Sequence, residues 1–266
     1  MKLTLLRTSL FGLCLLPAHV WGSLTSVYRF DENSGTAVAD TIRGGAGTGA
    51  ASSSSGWVAG KIGNAVEFNG ADGYILAPNA VPTGTTAFSV AAWVWADSAP
   101  VWGSIVKNWG DSSAGAFHLG FNVGSGQISN YVSPPTLGPV VDPGILSLNA
   151  WHHVALSYDG GTATQTLYID GVSVGSASAS ASLTALSPNM GIGVKTDNTT
   201  LAPDTGAPGY WDGKIDDLAF WDTALTAAEV LAIKTNGDLG IGVGVPEPAS
   251  AAFIALGLAG FLRRRR

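Results

Sequence analysis

The chain contains a single cysteine in 266 residues, at position 14. Everything that follows it lacks a thiol, which excludes disulfides, cysteine metal sites and thiol nucleophiles there. Charge is also scarce, at 12% of residues. Between Leu24 and Gly244 stand seven Lys or Arg against 18 Asp or Glu, a net −11, although the whole chain carries −6. A surface that acidic disfavours DNA, RNA and anionic lipid, whose binding needs clustered cations. It suits neutral ligands or cations, and solubility alone accounts for it equally well. No repeat of fixed period, proline-rich linker or charge block divides residues 24–236, a length that fits one large domain. Such a domain buries enough apolar surface to need no staple. Glutamate is sparse as well: Glu32, Glu67 and Glu229 lie far apart, with no Glu-x-Asp-x-Glu run. Glycoside hydrolysis needs two carboxylates flanking one bond, and no serine nucleophile elbow is present. The sequence therefore predicts no enzyme, with a glycoside hydrolase as the minor alternative.

What is present begins at the ends. Lys2 and Arg7 precede an apolar run from Leu10 to Leu16, then Pro17 and small residues. This reads as a secretory signal peptide over 1–22. Phe11-Gly12-Leu13-Cys14 does not fit lipoprotein processing. At the other end Pro246-Glu247-Pro248 leads into an apolar run from Ala249 to Leu262, closed by Arg263 to Arg266. Fourteen such residues are marginal against the roughly 20 that span a bilayer, and four arginines hold that end on the cytoplasmic side. The order of motif, hydrophobic run and arginines over 246–266 resembles the PEP-CTERM sorting tail. That resemblance implies export, transient inner-membrane association through a terminal hydrophobic helix, and processing by an exosortase-type enzyme. The processed protein is then expected at the cell surface or in the matrix.

Between the ends, strand signals recur. Phe88, Val90, Ala92 and Val94 alternate with Ser89, Ala91, Trp93 and Trp95, and Phe117, Leu119 and Phe121 alternate with His118, Gly120 and Asn122. Asp170-Gly171 between Leu167-Tyr168-Ile169 and Val172-Ser173-Val174 predicts a hairpin. One helix is predicted, short and ending near Lys234. Thr226 and Glu229 form its capping box, with Leu225 and Val230 as the staple. Many strands and one helix give an all-β fold, a two-sheet antiparallel jelly-roll sandwich over 24–236, with 237–245 as a linker.

Six segments then resemble the laminin-G-like domains of the concanavalin A-like lectin/glucanase superfamily. They are Tyr28 to Gly35 with Asp40, Gly60 to Ile75, Phe88 to Val94, Trp151 to Gly160, Leu167 to Gly171, and Trp211 to Thr226. The resemblance implies a jelly roll used to bind glycans or proteins, often with calcium.

Candidate chemistry follows. Strict alternation from Ile215 places Asp216 on one face with Leu218 and Phe220, and Asp217 on the other with Ile215 and Ala219. A carboxylate on an apolar face is hydrogen-bonded, paired or metal-bound. Asp216 either accepts backbone bonds or ligates Ca²⁺ with Asp40 and Asp72, which the resemblance places in acid-bearing loops; Asn69 stands where an aspartate is common. Calcium wants six to eight oxygens. His152 and His153 are adjacent on a strand and point to opposite faces, so they do not share an ion. Aromatic rings cover the apolar face of a pyranose. Trp102, Trp109 and Tyr131, in loop-like segments, together with His118 on the less apolar face of its strand, are the predicted ligand residues. Trp211, Trp93 and Trp95 read as packing residues. The expected function is binding of extracellular polysaccharide by a surface or matrix protein. The alternative is a structural or protein-binding component without sugar recognition.

Overall fold

Strands form where the alternation predicts them, and the two faces of the central ones are both covered. A computed structural model describes residues 22–108, 117–123, 126–132, 139–183, 186–197 and 202–244. The first half supplies β1 (Leu24–Tyr28), β2 (Ala37–Asp40), β3 (Gly44–Ala51), β4 (Gly56–Ala59), β5 (Asn64–Asn69), β6 (Ile75–Pro78), β7 (Ala87–Ala96) and β8 (Ser104–Asn108). The second supplies β9 (Phe117–Phe121), β10 (Ile128–Val132), β11 (Val140–Val141), β12 (Trp151–Asp159), β13 (Thr164–Ile169), β14 (Val172–Ser178), β15 (Asn189–Ile192), β16 (Asp212–Trp221) and α1 (Ala227–Asp238).

All described pairings between strands are antiparallel. They form one path, β11-β10-β9-β8-β15-β6-β3-β2-β1-β16-β7-β12-β13-β14, with β5 and β4 attached beside β16. The path folds over on itself, so that β10 and β11 lie against β13 and β14. The sandwich is thus a nearly closed sheet rather than two separate ones. Its layers are joined at a corner where β1 and β2 share the single pair Tyr28 and Asp40.

Period two then sorts the side chains. Phe88, Val90, Ala92 and Val94 enter the main core with Val154, Leu156, Tyr158, Phe117, Leu119 and Phe121. Ala91, Ala155, Ala219 and Trp221 face outward and would be wet, but α1 covers them with Val230 and Ile233 to make a second core. The capping box forms as its sequence predicts, with the Thr226 amide and hydroxyl donating to Glu229 and the Glu229 amide to Thr226 Oγ1. The helix runs to Asp238, past the expected stop near Lys234. Asn236-Gly237 is no terminator here. A Cβ on Gly237 would stand 2.4 Å from Trp93 Nε1, so glycine permits the close approach of the last turn to the sheet.

Two departures concern the ends of elements. The parity expected along β16 breaks, because a bulge between Asp216 and Ala219 shifts the register and Asp217 takes φ 46°. Ile215 consequently shares the main core with Leu218 and Phe220. Asp216 sits opposite Trp93 and reaches the turn before β5. The segment after α1 is not a free linker either. Arg29 Nη2 donates to Val243 O at 2.6 Å and the Val243 amide donates to Asp217 Oδ2 at 3.0 Å. Gly242 fits between them, where a Cβ would lie 2.5 Å from Arg29 Nη1. The segments 1–22 (up to residue 21) and 246–266, with Cys14, Pro246, Glu247 and Pro248, lie outside the described residues.

Candidate functional site

The antiparallel register of β8, β9 and β10 puts Lys107, His118 and Tyr131 in one cross-strand row. Phe117, Leu119 and Phe121 point the other way, into the core. The turn before β8 brings Trp102 over this row, in a left-handed conformation with φ 58°. Trp102 meets His118 at a centroid distance of 6.0 Å and 73°, and Tyr131 at 6.0 Å and 51°. His118 and Tyr131 lie 6.3 Å apart, and Lys107 Nζ stands 5.8 Å from the Trp102 ring centre. Three of the four predicted ligand residues are therefore neighbours. The fourth, Trp109, lies outside the described residues.

Trp102 and Tyr131 are half-buried, while His118 is buried beneath them. Burial, and then the Lys107 ammonium, hold the His118 imidazole well below its usual range, so the ring is neutral. Its Nε2 faces Phe121 O at 3.3 Å, and its buried Nδ1 has no partner among the described residues. A ring donating through Nε2 offers Nδ1 as an acceptor. Burial first and Lys195 second bring Lys107 down to about 7. Two half-buried aromatic rings, backed by a buried imidazole, can stack a sugar ring.

The three carboxylates expected to share calcium are not brought together. Among the described residues no three His, Cys, Asp or Glu side chains are placed to hold a metal ion. Asp40 is fully buried and spends both oxygens on protein donors: Ser26 Oγ, the amides of Val27, Ile42 and Arg43, and Arg43 Nε at 2.6 Å. Asp72 is bonded by Asn69 Nδ2 at 2.7 Å; Asn69, with its own Oδ1, caps the turn through the amides of residues 71–73. Asp216 Oδ2 accepts from the Ile62 amide at 2.8 Å. Arg43 and neutral donors already satisfy the first, and no such triple forms among the described residues, so millimolar calcium or a chelator is expected to leave the melting temperature unchanged. A native-state ligand would raise it.

Two arrangements that the sequence did not signal appear elsewhere. A groove of about 430 Å³ runs along Ser53 to Gly56 and the ends of β5, β7 and β16, gathering Glu67, Asp97 and Asp212. Asp212 accepts from Ser98 Oγ, Asp97 from Trp95 Nε1 at 2.9 Å, and Glu67 lies 4.0 Å from Lys214 Nζ. These carboxylates come from three distant strand ends, which spacing along the chain does not reveal. The second is a chain of Ser147 Oγ to His152 Nε2 at 2.7 Å and His152 Nδ1 to Asp170 Oδ2 at 2.8 Å. Its order is that of a nucleophilic triad. The amides of Asn149, His153 and Asp170 are all spent on protein acceptors, and Ser147 is exposed. The chain ties the loop before β12 to the β13–β14 turn, and the Asp170 bond raises the His152 pKa. His153 packs edge-on against Trp93 at 5.4 Å, away from His152 as alternation predicts. Trp211 is core, stacked on Phe121 at 4.9 Å.

Comparison with known proteins places this geometry. The laminin-G-type model of the concanavalin A-like lectin/glucanases superfamily matches residues 69–231, and the PEP-CTERM protein-sorting motif matches 244–266. No curated protein matches the chain. Among solved structures, domain 4 of an extracellular arabinanase from Geobacillus stearothermophilus, in complex with arabinotriose, is similar at 22% identity and TM-score 0.59. The match covers 79% of this chain and 98% of that one. The binding domain of paraclostridial mosquitocidal protein 1 matches at 12% and 0.61, over 79% of this chain and 51% of that one. A Trypanosoma rangeli sialidase matches at 17% and 0.61, over 83% of this chain but only 33% of the enzyme. At these identities the likeness establishes the fold alone, and that fold is shared by binding domains and enzymes. The superfamily match spans more than half of the residues, so the chain belongs to the concanavalin A-like lectin/glucanases superfamily and is an exported protein with a PEP-CTERM tail.

Proposed function

We propose that this exported member of the superfamily is a non-catalytic module that binds extracellular glycan through Trp102, His118 and Tyr131. The observation that carries the reading is the convergence of these three residues, from a turn and two strands, with Trp102 and Tyr131 half-buried over the buried His118. Stacking on Trp102 and Tyr131 covers the apolar face of a pyranose, and His118, buried beneath them, backs the two rings. The arabinotriose-bound arabinanase domain supports the reading, since it has nearly the full extent of this fold. Calcium is not required by this arrangement. The partner fits the exopolysaccharide of the cell that exports the protein, and the tail makes an exosortase-type enzyme its processing partner.

An array of bacterial polysaccharides tests the proposal. The chain is expected to bind at least one of them, and Trp102→Ala to weaken that binding by roughly 10- to 100-fold, the range of an aromatic anchor worth about 2 kcal/mol. Absence of binding to every glycan would favour the structural, protein-binding alternative.

A further inference from the structure

The strap that follows α1 is held by an ion pair that grips the backbone of one residue on both sides. Arg29 Nη2 donates to Val243 O at 2.6 Å, and the Val243 amide donates to Asp217 Oδ2 at 3.0 Å. Arg29 Nη1 stands 3.6 Å from Asp217 Oδ1, with Asp217 buried and Arg29 largely so, which strengthens the pair relative to one in open water. The Ile241 amide donates to Asn236 O at 3.0 Å, Gly242 is buried, and Val243 packs with Leu24 against the second core. Residues 241–243 are therefore part of the folded domain. The sorting motif begins at residue 244, where that hold ends.

Chain length then limits how far the apolar run from Ala249 can stand from the domain. Five residue steps join Gly244 to Ala249, at most about 18 Å at full extension. With the strap released, the free chain would start at Leu239, the C-cap of α1, and ten steps would reach about 36 Å. The folded part, about 220 residues, has a radius of gyration of about 17 Å. The shorter tether keeps Pro246, Glu247 and Pro248 about as close to the domain as that radius, whereas the longer one exceeds it twofold.

We infer that the Arg29–Asp217 clamp controls access to the sorting motif: while it holds Val243, an endopeptidase at the bilayer meets the folded domain before it can take the motif into its cleft. Releasing the strap breaks the bonds to Val243 and leaves the strand pairings in place, so it is a local opening. Cleavage then follows the population of the open form. The processing partner is accordingly an enzyme that competes with Arg29 and Asp217 for the Val243 backbone. This goes beyond the glycan-binding reading and does not depend on it, since it rests only on the clamp and on the sorting tail.

The test uses the full chain in nanodiscs and a soluble proline-specific endopeptidase as the probe, which hydrolyses the bond after Pro246 or Pro248 by adding water across it. Intact mass follows the cut with time, and the exposed Pro143, in the loop before β12, is the internal reference. Arg29→Ala is expected to raise the rate of cleavage at the motif roughly tenfold or more, the scale on which losing a hydrogen bond to a charged group shifts a local opening. Cleavage at Pro143 is expected to stay unchanged. Gly242→Ala, whose Cβ would lie 2.5 Å from Arg29 Nη1 and 2.7 Å from Asp217 Oδ2, is expected to act in the same direction without removing either partner. A flexible insertion after Gly244 is expected to speed the cut with the clamp intact, because it supplies the reach that the clamp withholds. Motif cleavage that is no faster in either variant, or that rises only together with cleavage at Pro143 as global unfolding would make it, overturns the inference. No glycan enters this readout, so its failure is distinct from failure of the glycan array.

Discussion

Asp216→Asn is expected to stabilise the protein at pH 8 and to leave its stability unchanged at pH 4. Asp216 is fully buried beside the β16 bulge, where Oδ2 accepts from Ile62 and Oδ1 has no partner among the described residues. Burial above all, against the Ile62 bond and helped by the neighbouring Asp217 charge, raises its carboxyl to about 8. A carboxyl raised in the folded state contributes stability that is fully present below its unfolded pKa, near 4. That contribution is lost as pH rises through about 8. At about 1.4 kcal/mol per unit the full shift corresponds to on the order of 5 kcal/mol. Asparagine keeps the acceptor for Ile62 and carries no charge, so it escapes the loss. Asp217, raised to about 6 mainly by burial, adds a smaller effect of the same sign. Urea denaturation at the two pH values reads the difference. A variant less stable than the parent at pH 8 would mean that Asp216 is ionised and paired there, as a calcium ligand would be.

Asp40→Ala is expected to cost about 3–5 kcal/mol, the range for breaking one partner out of a buried ion pair. Asp40 is the hub of the corner where the strand path passes between layers. Arg43, which it anchors at 2.6 Å, also donates to Asn79 O at 2.9 Å, Pro78 O at 3.1 Å and Tyr28 Oη at 2.8 Å, and Tyr28 donates to Gly47 O at 2.7 Å. One carboxylate thus links β1, β2, β3 and the end of β6. Burial acts most strongly on its pKa and pushes upward, yet the bonds from Ser26, Arg43 and Ile42 together lower it. A lowered carboxyl stabilises above its unfolded pKa and fails as pH falls through the folded one. Loss of less than 1 kcal/mol in the variant, measured near neutral pH, would show that the corner holds without the pair.

The parts legible in the sequence were those whose signal is local. Alternation over Phe88 to Val94 and Phe117 to Asn122 placed strands and faces correctly, and the Thr226–Glu229 box placed the start of α1. Alternation also separates His118 from Phe117 and Leu119, and the structure keeps it off the core face that they share. The rest depended on events that periodicity assumes away. One extra residue at Asp217 reversed the parity of β16 and moved Asp216 out of the face assigned to it. Gly237 looked like a helix stop because its contact with Trp93 is remote in sequence. Asp40 and Asp72 carried acids at plausible loop positions, but donors supplied by Arg43 and Asn69 are invisible to spacing. The Ser147–His152–Asp170 chain and the Glu67–Asp97–Asp212 groove were missed for the same reason, since each joins segments that only the fold brings together.

The groove and the aromatic face are rival places for a sugar, and locating one bound glycan decides between them. A crystal structure of the protein with an oligosaccharide that scores on the array is the direct measurement. The expected result is a sugar ring lying against Trp102 and Tyr131. A ring lodged instead between Ser53–Ser55 and the carboxylates of Glu67, Asp97 and Asp212, with the aromatic face empty, would contradict it.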